Sequence, residues 1–229
     1  MKIKLVYTTE SMKEKQKMKE KVKEFIVKNL KWIILFICLI GFLAIAEDVF
    51  NKEIMNGDIV GYKLISTFLI SDFATPIAKF ITNFGGAIFL TILTIILFIL
   101  IKNKKIGLSI FSNLVIITAL NQLLKNILQR PRPTEYRIIE ETGYSFPSGH
   151  SMISMAFYGY LIYLIYKYVK NKYVKWTSMV LLSLLICSIG ISRIYLGVHY
   201  TSDVLGGFLI SISYLVIYIS AVNKFLIEK

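Results

Sequence analysis

Charge is what this 229-residue chain is shortest of: Asp, Glu, Lys and Arg make up 18% of it, against 55% hydrophobic residues. Soluble domains carry about a quarter charged residues, and the mean hydropathy of +0.63 points the same way. Soluble globular, disordered and collagen-like classes are excluded on that balance. Cysteine is almost missing. Cys38 and Cys187 both fall inside apolar runs, where they read as small buried hydrophobes and not as a disulfide or metal site. No cluster of carboxylates offers to hold a metal, so no cofactor is expected. Internal repeats and low-complexity linkers are absent too, apart from a Lys/Glu bias in residues 1–31.

What the chain does have is long apolar runs. Six are read as transmembrane helices, near 32–50, 84–102, 106–126, 150–169, 174–192 and 203–223. At 1.5 Å per residue each is about long enough for a ~30 Å hydrocarbon layer. The expected fold class is all-α: an integral membrane bundle of six helices spanning 32–229. The mixed stretch between the first two spans has a short apolar piece, Ile59 to Ser71, that carries Lys63. An interfacial or re-entrant segment over 59–83 suits it better than a crossing. Residues 1–31, with ten Lys and four Glu, are read as a cytoplasmic amphipathic arm on an anionic membrane face, with a frayed solvated tail as the equal alternative. Ala44-Ile45-Ala46 imitates a signal-peptidase site, but the charged region before it is too long for a signal peptide. An uncleaved anchor is expected.

The net charge of +13 is explained by sidedness, which argues against nucleic acid as a partner. Under six spans, the arm, Lys102/Lys104/Lys105, Lys167/Lys170/Lys172/Lys175 and Lys224/Lys229 share one side. By the positive-inside tendency that side is cytoplasmic, with both termini. The other side receives most of the acids and all four arginines. A bacterial cytoplasmic membrane is the expected location.

Arginine and histidine are rare enough for their placement to inform. Lys outnumbers Arg by 23 to 4, and only His150 and His199 exist. Parity brings Lys125, Arg132, His150, Arg193, His199 and Asp203 to one extracytoplasmic surface. Arg forks match tetrahedral oxyanions such as phosphate, and Lys adds a point charge. Ser148-Gly149-His150 opens a helix, so free backbone N–H groups face the same anion, and Gly149 permits close approach. His199 and Asp203 are spaced i,i+4. A carboxylate on one imidazole nitrogen fixes the tautomer and frees the other to attack. His150, without such a partner, suits the general acid that protonates the leaving oxygen. Each residue alone has an ordinary explanation as an interfacial anchor or helix cap. Their convergence on one face does not.

Three stretches then carry a resemblance. Lys125-Asn126-Ile127-Leu128-Gln129-Arg130-Pro131-Arg132-Pro133 fits K-x6-R-P, Pro147-Ser148-Gly149-His150 is P-S-G-H, and Ser192-Arg193 with His199 and Asp203 fits S-R-x5-H-x3-D. In order and spacing these resemble the signatures of the type-2 phosphatidic acid phosphatase superfamily. The resemblance covers roughly residues 30–220. It implies a six-helix membrane phosphatase that needs no metal and passes through phosphohistidine. Lys125, Arg132 and Arg193 would bind phosphate with Ser148 and the Gly149 amide. His199 would be the nucleophile, His150 the acid and Asp203 the partner of His199. Arg130 and Arg137 belong to no signature and are candidates to assist a second phosphate.

A site at the membrane edge suits a lipid whose phosphate lies at headgroup height. Undecaprenyl diphosphate is the preferred substrate, with phosphatidylglycerol phosphate or phosphatidic acid as alternatives. Transfer of phosphate to a second lipid is another enzyme reading, separable by product analysis. Vanadium haloperoxidases have similar pockets but are soluble. A non-catalytic phosphate or lipid carrier would have no use for the His199–Asp203 pair, and its activity would survive loss of His199.

Overall fold

The computed structural model describes residues 2–52 and 55–227, and among them every regular element is helical. They are α1 (Lys2–Phe50), α2 (Asn56–Phe68), α3 (Ala74–Asn83), α4 (Ala87–Leu100), α5 (Lys104–Leu128), α6 (Gly149–Tyr168), α7 (Lys172–Tyr195) and α8 (Thr201–Val222), with a π-helical turn at Asn223–Ile227. Polar residues set the boundaries locally. The side chains of Asn103 and Asn171 accept the Lys105 and Val174 amides at 3.0 and 3.1 Å and so start α5 and α7. Gln129, at φ 44°, ends α5 in the left-handed conformation two residues before Pro131.

Four helices are long and apolar enough to cross a bilayer: Met18–Phe50, Lys104–Leu128, Lys172–Tyr195 and Thr201–Leu226. A bent helix pair takes the place of the continuous run expected over 84–102. α4 alone has 14 residues, about 21 Å, but α3 precedes it across a 49° bend at Gly85-Gly86, and the pair together has spanning character. Within the 59–83 stretch α2 stays short, and α3 pairs with α4 across the bend as a broken span or a re-entrant hairpin. α6 is also of spanning length, at 20 residues. Its five tyrosines and two serines depress its hydropathy, which a lipid-facing helix would not tolerate. α6 instead sits inside the bundle, packed against α5, α7 and α8, with Met152, Ala156, Phe157 and Tyr160 wholly buried.

Lipid offers no hydrophobic drive to bring helices together, so packing and interhelical hydrogen bonds must do it. Tyr160 donates to Ser109 Oγ at 2.7 Å and Asn113 to the Ala156 carbonyl at 3.0 Å, tying α6 to α5. Ser211 donates to the Met152 carbonyl at 2.7 Å, tying α8 to α6. α1 lies along α8, where Phe42 stacks on Phe146 with ring centres 5.7 Å apart. The outside is apolar, with Ile88, Leu100, Val115, Leu184 and Ile217 all exposed. Cys38 is buried as expected, while Cys187 faces outward among them. α1 runs through the 31/32 boundary without a break, carrying Met18, Val22, Phe25 and Ile26 exposed.

Tyr160→Phe removes one interhelical hydrogen bond and little volume. It should lower stability by about 0.6–1.7 kcal/mol, the range for such bonds in membrane bundles, read as a small fall in the unfolding temperature of detergent-solubilised protein. A fall as large as that of a core truncation would mean the ring, not the hydroxyl, holds α6.

Candidate active site

The C-terminal ends of α5 and α7 and the N-terminal ends of α6 and α8 meet at one end of the bundle. Every residue singled out from the sequence is there. Arg193, His199, Asp203 and Ser148 are buried and form a floor. Lys125, Arg132, Gly149 and His150 are half-buried and form a rim. Topology alone brings them together, because each comes from a helix end or from the loop next to it.

His199 stands one residue before the N-cap of α8. Its Nδ1 lies 3.2 Å from Asp203 Oδ2, and its Nε2 lies 3.1 Å from Arg132 Nη1. A guanidinium only donates, so Nε2 is the acceptor and Nδ1 carries the hydrogen that Asp203 receives. Asp203 Oδ2 also accepts the Tyr200 amide at 2.9 Å. Burial drives the His199 imidazole toward its neutral form and outweighs the adjacent carboxylate; its pKa is pushed down to about 4. The ring is therefore neutral, in one tautomer, with its lone pair turned toward the cations.

Asp203 is held from behind by a residue that the motifs do not include. Arg130 is 6% exposed. Its Nη1 donates to Asp203 Oδ1 and to Ser202 Oγ, both at 2.7 Å, and its Nη2 donates to Asp58 Oδ2 at 2.7 Å. Asp58, from the first turn of α2, also accepts the Ser202 amide at 2.8 Å and so ties α2 to the start of α8. The Tyr200 ring covers the guanidinium at 4.1 Å. Burial works against the charge on Arg130, yet the two carboxylates keep it more firmly protonated than a free side chain. Arg130, a candidate for a second phosphate, here gives three of its five N–H donors to Asp58, Asp203 and Ser202. Arg137 donates to the Pro133 carbonyl and lies 3.9 Å from Glu140, which is 94% exposed.

The cations are engaged as well. Arg193 donates through Nη1 to Thr82 Oγ1, at the end of α3, at 2.8 Å, and through Nη2 to Glu141. Its Nε is buried with no partner among the described residues. Arg132 reaches the Thr142, Gly143 and Val198 carbonyls, and Lys125 reaches the Tyr144 carbonyl. Ser148 caps α6, its Oγ accepting the Ser151 amide at 3.4 Å and the Ser151 hydroxyl at 3.0 Å. Gly149 meets Asn121 so closely that a Cβ would lie 3.1 Å from Oδ1. The bend between α3 and α4 backs His150: a Cβ on Gly85 would lie 3.2 Å from the imidazole Cδ2. Asp58, Thr82 and Glu141 were missed from the sequence, and Arg130 was singled out there without its carboxylate partners. Only Arg130 carried a signal there, as one of four arginines.

The PAP2 superfamily model matches residues 104–227, from the first residue of α5 to the end of the π turn. Phosphatidylglycerophosphatase B of Bacillus subtilis is 40% identical over 91 residues, 39% of this chain; the match spans 44% of that relative, less than half its length. Undecaprenyl-diphosphatase of Sulfolobus acidocaldarius is 26% identical over 195 residues, covering 80% of this chain and 86% of that one. Among solved structures, the transmembrane PAP2 type phosphatidylglycerolphosphate phosphatase of Bacillus subtilis superposes with a TM-score of 0.72 at 27% identity, over 83% of this chain and 96% of its own. Aquifex aeolicus LpxE, at 21% identity and a TM-score of 0.56 over 69% of this chain, shares the fold.

Arg130→Met leaves Asp58 and Asp203 buried without their cation and should cost about 3–5 kcal/mol. Arg137→Met, at a solvent-screened pair, should change little; equal unfolding temperatures for the two variants would remove Arg130 from its bridging role. The depressed pKa has a sign. The unfolded chain binds a proton on imidazole below about pH 6.5 and folded His199 only near 4, so stability attributable to His199 falls as pH drops through that window. In a ¹⁵N-histidine NMR titration His199 should still be neutral at pH 5.5, with His150→Gln separating the two signals. Protonation of His199 near 6.5 would contradict the geometry.

Proposed function

Since the chain belongs to the PAP2 superfamily, we propose that it is a membrane lipid phosphatase acting through a phosphohistidine at His199. The observation that carries this reading is the orientation of one imidazole. Asp203 holds the Nδ1 hydrogen, and the Nε2 lone pair opens toward Arg132, with Lys125 and Arg193 in the same cradle.

In the first step Nε2 attacks phosphorus, the bond from phosphorus to the lipid oxygen breaks, and His150 gives its proton to that oxygen. Water then attacks the phosphohistidine while His150 takes a proton from it, which releases orthophosphate and restores Nε2. Lys125, Arg132 and Arg193 neutralise the equatorial oxygens, assisted by the Ser148 hydroxyl and the amides of Gly149 and His150, which have no intrahelical acceptor. These cations supply the charge stabilisation that a metal provides in other phosphatases, so the chemistry asks for none.

The substrate is a lipid whose phosphate lies at headgroup height. Undecaprenyl diphosphate and phosphatidylglycerol phosphate are the two leading candidates, and the relatives carry both names. The lysines at the opposite end of the bundle support a cytoplasmic position for that end, and an extracytoplasmic one for the site.

Purified protein in EDTA should release phosphate from one or more of undecaprenyl diphosphate, phosphatidylglycerol phosphate and phosphatidic acid, and the three rates rank the substrates. His199→Ala should lower turnover by at least about 10³-fold. Release that survives this substitution, or strict dependence on Mg²⁺, would overturn the phosphohistidine route.

A further inference from the structure

The three cations of the cradle come from three different parts of the chain, yet all of them donate to one stretch of four residues. Arg193 Nη2 pairs with the Glu141 carboxylate. Arg132 Nε and Nη2 reach the Thr142 carbonyl at 3.2 and 3.0 Å, and Nε reaches the Gly143 carbonyl at 3.0 Å. Lys125 Nζ reaches the Tyr144 carbonyl. The stretch turns back at Gly143, whose φ of +74° suits glycine. Its flanks are pinned: the Ile138 amide donates to the Leu196 carbonyl at 3.0 Å, and the Ser145 amide donates to the Arg130 carbonyl at 2.8 Å. Partial burial would raise the Glu141 carboxyl, but Arg193 and Arg132 outweigh it and hold it below the usual carboxylate range. Its neighbour Glu140 shows what an acid of this loop does otherwise: it projects into solvent.

From this we infer that Glu141, with the Thr142–Tyr144 carbonyls, is a built-in competitor for phosphate that fills the cradle between turnovers and is displaced when substrate enters. The inference rests on the phosphatase reading of the cradle and adds to it what determines occupancy of the empty site. Arg193 shows why displacement succeeds. The carboxylate takes one of its N–H groups, and Nε is left buried without an acceptor. Glu141 engages Arg193 through Oε2 and Nη2 alone, whereas a tetrahedral anion seated in the cradle can offer one oxygen to Nη2 and another to Nε. Displacement weakens every phosphate ligand by the same factor. Dilute orthophosphate, the reaction's own product, is then kept off, while a lipid concentrated in the bilayer still binds.

The test compares orthophosphate and orthovanadate binding to full-length wild type and variants in detergent, read as ligand-dependent rise in unfolding temperature. If the competitor is engaged about nine-tenths of the time, E141Q should bind orthophosphate about tenfold more tightly. E141D keeps the charge but is one methylene too short to hold Arg193; it should bind as tightly as E141Q, whereas E140Q should match wild type. Unchanged or weaker binding by E141Q overturns the inference. So does an E141D that binds as weakly as wild type, because charge in the loop would then suffice without contact. E141A serves in place of E141Q if the latter does not fold. Tighter orthophosphate binding without any lipid hydrolysis would uphold the competitor and refute the phosphatase reading. Hydrolysis by wild type with identical orthophosphate affinity in all variants would do the reverse.

Discussion

A guanidinium taken out of water and set between two carboxylates organises this end of the molecule. Arg130 gives one nitrogen to Asp203 and the other to Asp58, so the loop after α5, the first turn of α2 and the first turn of α8 meet at a single group. Burying three charges is expensive, and isolated ion pairs of this kind seldom repay their desolvation. What this one does is fix direction. Asp203 has both oxygens occupied, so its carboxylate cannot rotate, and His199 in consequence keeps one tautomer and one orientation. The His199 Nε2 is oriented by a chain of contacts that begins on α2, 145 residues before Asp203 in the sequence.

A second organising feature is the contrast between α6 and its neighbours. Lipid-exposed helices must be apolar on their outer faces. A helix enclosed by others is free to carry tyrosines and serines, provided each finds a partner. α6 uses that freedom to bind α5 and α8 through hydroxyls, which holds its N-terminus, and with it Gly149 and His150, rigidly over the floor of the site.

The bundle and most of the site were legible in the sequence for a physical reason: long apolar runs have one favourable fate, and their parity decides which ends meet. Lys125, Arg132, His150, Arg193, His199 and Asp203 each sit at or beside such an end, so their convergence needed no tertiary information. Asp58 was not legible, because nothing local marks an aspartate on a short helix as the partner of an arginine 72 residues away. Glu141 looked like any acid in a polar loop, since only the folded loop brings its carboxylate to Arg193. The bend at Gly85-Gly86 was hidden for another reason: α4 reads as one apolar run, while α3, more mixed in composition, reads as an interfacial segment. The low hydropathy of α6 did not conceal it, because its length and flanking motifs marked it as a helix.

The alternation of helix direction has an electrical consequence. α6 and α8 present their N-termini to the site and α5 and α7 their C-termini, so the positive and negative ends of four macrodipoles oppose one another there. Beyond the few N–H groups that touch a ligand, the backbone contributes almost no net field. The potential in this pocket is therefore the work of a handful of side chains, and it changes by a full unit charge whenever one of them is lost.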